Sequence, residues 1–132
     1  MQLSKFLRTV LKLDAASCLG MGAIVLPISA TLQGPVGIEA GVLSAAAASL
    51  IPVGLFILWL GTRREAPSGL VWLVIIGNVG WSSASLAAAG SMPGITAFGQ
   101  AAVAGQGLAV LALAILEWAG LRSSRPASCE GA

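Results

Sequence analysis

Four polar side chains interrupt the apolar stretches of this sequence and are its candidates for chemistry: Asp14, Asn78, Gln106 and Glu117. Placing a central Asp in a bilayer costs about 2.5 to 3.5 kcal/mol, so a polar residue there needs a partner or a purpose. Buried carboxylates of this kind can bind a proton or a cation, and side-chain amides can orient a ligand. We therefore treat these four residues as candidates for ligand or proton binding.

Helical spacing groups these side chains into stripes. Asn78, Ser82 and Ser85 recur at i, i+4 and i+7, which places them on one face of a helix. Gln106 and Glu117 are eleven residues apart, which is three helical turns along one stripe. The pattern predicts polar faces that point into a helix bundle.

Counting along the helices predicts the depth of each group. Asp14 lies about 5 Å and Glu117 about 6 Å from the cytoplasmic ends of their predicted spans, so they can share one layer. Asn78 lies about 12 Å from the start of its span, near the midplane, and Gln106 about 20 Å from the cytoplasmic side.

Two interpretations of this polar set remain open. In the functional one, the stripes converge on an interior cavity where the carboxylates bind a proton or cation and the amides orient a ligand. In the structural one, which we favour, the amides bond across helices while the carboxylates pair with Arg63, Arg64 or Arg122 at the interface.

The elements that position these groups follow from composition. Of the 132 residues, 57% are hydrophobic and only 9% are charged, whereas soluble domains carry about 25% charged residues. Four apolar segments, 11–32, 42–60, 70–89 and 98–121, are near the length of about 20 residues that crosses a bilayer. The sequence predicts an all-α polytopic membrane protein, an antiparallel bundle of four transmembrane helices over 1–121. A polar cytoplasmic tail, 122–132, is predicted to be disordered.

The basic residues predict the orientation of the bundle. All seven fall on one side: Lys5, Arg8 and Lys12 before or at the start of the first span, Arg63 and Arg64 between the second and third, and Arg122 and Arg125 after the fourth. Because Lys and Arg near membrane ends are retained in the cytoplasm, both termini are predicted to be cytoplasmic, in a bacterial inner membrane.

The residue inventory argues against several function classes. There is no histidine, Cys18 and Cys129 form no metal-binding pattern, and no phosphate-binding loop is present. We expect no enzymatic activity, no cofactor, no metal and no nucleic-acid partner. We expect a lipid-embedded accessory subunit that binds a membrane protein partner, a lipid or a second copy of itself. The alternative is a proton- or cation-coupled small-molecule transporter that acts as an oligomer.

Short motifs add a resemblance. The Leu-Lys-Leu-Asp segment that ends at Asp14, Gly77-Asn78 followed by Trp81, and the Leu-Glu-Trp segment around Glu117 resemble small uncharacterised four-span membrane proteins of bacteria. That resemblance implies the bundle and no activity. In length and in its first-helix carboxylate the chain is also similar to the small multidrug resistance transporters, which exchange protons for cationic drugs as dimers. Those proteins place their essential Glu deeper and among aromatic residues, and this chain has no tyrosine.

Overall fold

The computed structural model describes residues 1–124, which form four long helices. These are α1 (Lys5–Val36), α2 (Ala40–Thr62), α3 (Ser68–Ser91) and α4 (Ala97–Ser123). Each is long and apolar enough to cross a membrane. The predicted all-α bundle of four membrane-spanning helices is confirmed.

The helices extend beyond the predicted spans at both ends. α1 begins at Lys5, where the Ser4 side chain accepts a hydrogen bond from the Leu7 N–H and caps the helix. α4 continues to Ser123, so the first residues of the predicted tail are helical. Hydropathy marks only the part of a helix that suits hydrocarbon, whereas backbone hydrogen bonding continues into the interface. The rest of the predicted tail, 125–132, lies outside the described residues.

One end of the bundle is formed by two short turns that contact each other. Gly37 ends α1 in the left-handed conformation at φ 77°, and its N–H donates to the Gln33 carbonyl. The predicted loop therefore starts later than expected, because Gln33 to Val36 are still helical. Across the gap, the Thr96 N–H donates to the Val36 carbonyl at 3.1 Å. This contact joins the α1–α2 turn to the start of α4.

The opposite end carries the amino-terminal segment, the α2–α3 loop and the end of α4. The Leu3 N–H donates to the Arg64 carbonyl at 2.9 Å. The Ser4 N–H donates to the Ser124 hydroxyl at 3.0 Å. Four crossings require these three segments to share one end, and these hydrogen bonds join them there.

Helix packing is uneven around the bundle. α1 packs along α2, α3 packs along α4, and α1 also contacts α4, whereas α2 and α3 hardly touch. Glycine permits two of these close approaches: a Cβ at Gly22 would lie 2.8 Å from the Ala47 carbonyl oxygen, and one at Gly120 would lie 3.0 Å from the Leu7 Cα. Small residues at such crossings are typical of membrane helices. The bundle is therefore closed on three sides and has an open seam between α2 and α3.

Candidate functional site

Three polar side chains from three helices meet inside the bundle: Asp14 of α1, Asn78 of α3 and Glu117 of α4. The Asn78 Nδ2 donates to the Asp14 Oδ2 at 2.7 Å and to the Glu117 Oε1 at 3.1 Å, with the Oε2 at 3.3 Å. Both carboxylates are completely buried, at 0% exposure. We call these three residues the polar triad; in it, one amide nitrogen bridges two carboxyl groups.

The three arginines expected to pair with the triad carboxylates lie elsewhere. The Arg63 guanidinium lies 5.4 Å from the centre of the Trp59 ring, and that of Arg122 lies 4.9 Å from the centre of the Trp118 ring. Arg64 is exposed, whereas the triad carboxylates are enclosed. The expected pairing of the carboxylates with Arg63, Arg64 or Arg122 is therefore wrong. The cationic groups stack on aromatic rings instead, as guanidinium groups often do.

The triad also corrects the predicted depths. Asp14 was expected near the cytoplasmic edge of the membrane and Asn78 near its midplane, yet the two side chains are hydrogen-bonded. The reason is the early start of α1 at Lys5, which puts Asp14 about 14 Å along α1. This matches the depth of Asn78, which lies about 15 Å along α3 from its start at Ser68. The prediction that Asp14 and Glu117 share one layer is confirmed, because both bond to the same nitrogen.

Gln106 belongs to a second polar level and does not bond to the triad. Its Oε1 accepts from the Trp81 Nε1 at 2.9 Å, and its Nε2 donates to the Ser85 hydroxyl at 2.7 Å. Nearby, the Ser82 hydroxyl donates to the Gly107 carbonyl at 2.7 Å. The polar face predicted for α3 is thus buried against α4, and the expected hydrogen bonds of the amides across helices are confirmed.

A cavity of about 550 Å³ lies in the open seam between α2 and α3. We call it the seam cavity. Its wall is mostly apolar and includes Pro52, Val53 and Phe56 of α2 and Leu73 and Val74 of α3. The sequence offered one weak indication of it in the glycine directly before Asn78, but only the packing of four helices shows which neighbours leave that space empty.

Two residues join the seam cavity to the polar triad. Asn78 lines the cavity and donates to both carboxylates. Cys18 also lines the cavity, and its thiol lies 3.8 Å from the Asp14 Oδ1. The carboxylates themselves are sealed behind these two side chains. A molecule in the cavity would therefore meet Asn78 directly and the carboxylates only through it.

The geometry of the triad suits the sharing of a single proton between its two carboxyl groups. Because both carboxyl groups bond to one nitrogen, they lie within about 6 Å of each other, where two negative charges repel strongly in a medium of low dielectric. One proton shared by the pair removes this repulsion, as in paired carboxylates of acid–base sites.

Within residues 1–124, no group of three or more His, Cys, Asp or Glu side chains is placed to hold a metal ion.

The triad and the seam cavity are the features from which function is inferred for this chain. No family model, curated protein or solved structure matches it.

Proposed function

We propose that this chain is a non-enzymatic protein of the bacterial inner membrane that binds a lipid-like molecule in the seam cavity. The observation that carries the proposal is the cavity itself, about 550 Å³ in volume, apolar over most of its wall and polar at Asn78, Trp81 and Gln106. Sites for small molecules have volumes of about 300 to 1,000 Å³ and combine an apolar wall with a few placed polar groups.

Access to the cavity from the bilayer supports a lipid-like ligand. Because α2 and α3 hardly touch, the seam faces the surrounding hydrocarbon along the side of the bundle. Val53 and Leu73 belong to the cavity wall and are themselves 46% and 58% exposed. A molecule dissolved in the bilayer can enter between α2 and α3 without passing through water.

The proposed orientation places the triad end of the bundle in the cytoplasm. The amino-terminal segment, the α2–α3 loop and the end of α4 share this end, and they carry Lys5, Arg63, Arg64 and Arg122. Basic residues close to helix ends favour the cytoplasmic side. The two turns without Lys or Arg would then face the periplasm.

Filling the cavity provides the test, and the chain offers a matched pair of glycines on α3. A Cβ at Gly77 or at Gly80 would meet no atom within 4 Å, but only Gly77 lines the cavity. Leucine at either position should be tolerated by the helix, since glycine is the poorer helix former. Gly77→Leu fills the cavity, and Gly80→Leu controls for the added side chain.

Trp81 reports on occupancy because its ring lines the cavity, whereas Trp72 on the same helix is 43% exposed at the outer surface. Single-tryptophan proteins in nanodiscs are titrated with octadecanol that carries bromine atoms, which quench indole fluorescence on contact. We expect saturable quenching of Trp81 at mole fractions that barely affect Trp72, lost in Gly77→Leu and kept in Gly80→Leu. Equal quenching in both leucine variants would refute the cavity as the binding site.

A second candidate, a proton- or cation-coupled transporter, is favoured by the buried triad. Its carboxylates contact a cavity-lining amide, which is the connection that coupling needs. Proton release on addition of small organic cations to the detergent-solubilised protein tests it. Release that disappears in Asp14→Asn and in Glu117→Gln supports coupling, and no release across the panel favours binding alone.

A further inference from the structure

One polar atom of the seam cavity has no partner among residues 1–124. Asn78 is only 6% exposed, and its Nδ2 protons are directed to Asp14 and Glu117. This assignment of the amide is set by its neighbours, because two carboxylates require the donor on their side. The Oδ1 of Asn78 accepts no hydrogen bond from the described residues, and the surrounding protein does not enclose it completely. It therefore borders the cavity.

The cavity wall has few donors left to satisfy that oxygen. The Trp81 Nε1 and the Gln106 Nε2 are already hydrogen-bonded, and the Ser49 hydroxyl donates to the carbonyl of Ala46 at 2.7 Å. Ser17 also lines the cavity, but its side chain is at the exposed surface of α1. A buried acceptor without a donor is unfavourable, so an occupant that brings a donor gains affinity.

From this geometry we infer that the ligand of the seam cavity is a single-chain lipid with a hydroxyl head group that donates to the Asn78 Oδ1. The inference rests on the proposed function and names its ligand class. A hydroxyl offers one donor, which matches the unpaired Asn78 Oδ1. The apolar wall between α2 and α3 then holds the alkyl chain, and the volume of about 550 Å³ suits one chain and not the two of a phospholipid.

Other head groups fit the same place less well. A carboxylate head has only acceptors and would bring negative charge toward the buried carboxyl groups of Asp14 and Glu117. An ammonium head would be attracted by the same negative charge, but its three donors need acceptors that a mostly apolar wall supplies poorly, and its charge loses its hydration there. A neutral hydroxyl avoids the loss of hydration that either charged head incurs, and it still donates to the Asn78 Oδ1.

The test compares head groups on one alkyl chain against the same protein. Brominated octadecanol, its methyl ether, the corresponding amine and the corresponding carboxylic acid are titrated against the Trp81-only protein in nanodiscs. The ether has the same chain but no donor, so we expect it to bind about tenfold more weakly than the alcohol, with the amine and the carboxylate weaker still. Gly77→Leu should abolish all of this binding, which shows that it occurs in the cavity.

Two outcomes distinguish failure of the inference from failure of the proposed function. If the ether binds as tightly as the alcohol, or the amine or carboxylate binds more tightly, and Gly77→Leu still abolishes binding, the cavity is a lipid site but the hydroxyl inference is wrong. If no probe quenches Trp81 in a saturable way, both are wrong. An Asn78→Leu protein that remains folded should bind alcohol and ether equally.

Discussion

Replacing Asn78 by leucine should destabilise the bundle more than any other exchange of a polar residue for an apolar one on α3. Leucine branches at Cγ as asparagine does and is somewhat larger, so the change removes hydrogen bonds and leaves no empty space. Two are lost, the 2.7 Å bond to Asp14 and the 3.1 Å bond to Glu117. Bonds between neutral groups across membrane helices average about 0.6 kcal/mol and reach about 1.7, whereas bonds to charged groups are worth about 1.5 to 3. We expect a loss of about 3 kcal/mol.

Ser82→Ala is the matched control, because Ser82 is also buried on α3 and makes one neutral bond to α4, at 2.7 Å to the Gly107 carbonyl. It should cost about 0.6 to 1.7 kcal/mol. Both losses are measured as free energies of unfolding in mixed detergent micelles titrated with sodium dodecyl sulfate, followed by far-ultraviolet circular dichroism. In a background that already carries Asp14→Asn and Glu117→Gln, the free energy lost on Asn78→Leu should fall toward the value for bonds between neutral groups, because the charge is gone. If Asn78→Leu costs no more than Ser82→Ala, the triad contributes no charge-assisted stabilisation, and our interpretation of its hydrogen bonds is wrong.

Three further predictions concern packing, orientation and protonation. Gly99→Ala should destabilise the bundle by about 1 to 3 kcal/mol in the same unfolding assay, because its Cβ would clash with the Val36 carbonyl oxygen at the end of α1. Gly105→Ala, whose Cβ would meet no atom within 4 Å, should be neutral or stabilising, and equal effects of the two variants would contradict the packing. In a cysteine-free background, a cysteine in 92–96 should react with an impermeant maleimide in intact cells and one in 63–67 only after lysis, and the reverse would invert the topology. Infrared spectra at neutral pH should show one protonated carboxyl in the triad, which is missing when both carboxylates are replaced by amides; two ionised groups would exclude the shared proton.

Much of the architecture could be predicted from local properties of the chain. The length and hydropathy of each apolar segment are enough to indicate a membrane helix, since the bilayer requires about 20 apolar residues whatever the helix packs against. Short glycine- and proline-containing connectors make neighbouring helices antiparallel. The boundaries were less predictable, because α1 reaches from Lys5 to Val36 through residues that hydropathy assigns to loops.

The composition of the candidate site was decided only by tertiary structure. In a bilayer the lipid-facing and buried faces of a helix are both largely apolar, so the sequence pattern specifies helix rotation only where a polar stripe occurs, as on α3, and it does not specify which residues of other helices that stripe meets. Rotation depends on close approaches such as Gly22 against Ala47 and Gly120 against Leu7. These contacts bring Asn78 to both carboxylates and leave α2 apart from α3. The sequence by itself determined four membrane helices and their shared ends; which side chains meet, and where space remains, depended on packing between helices distant in the chain.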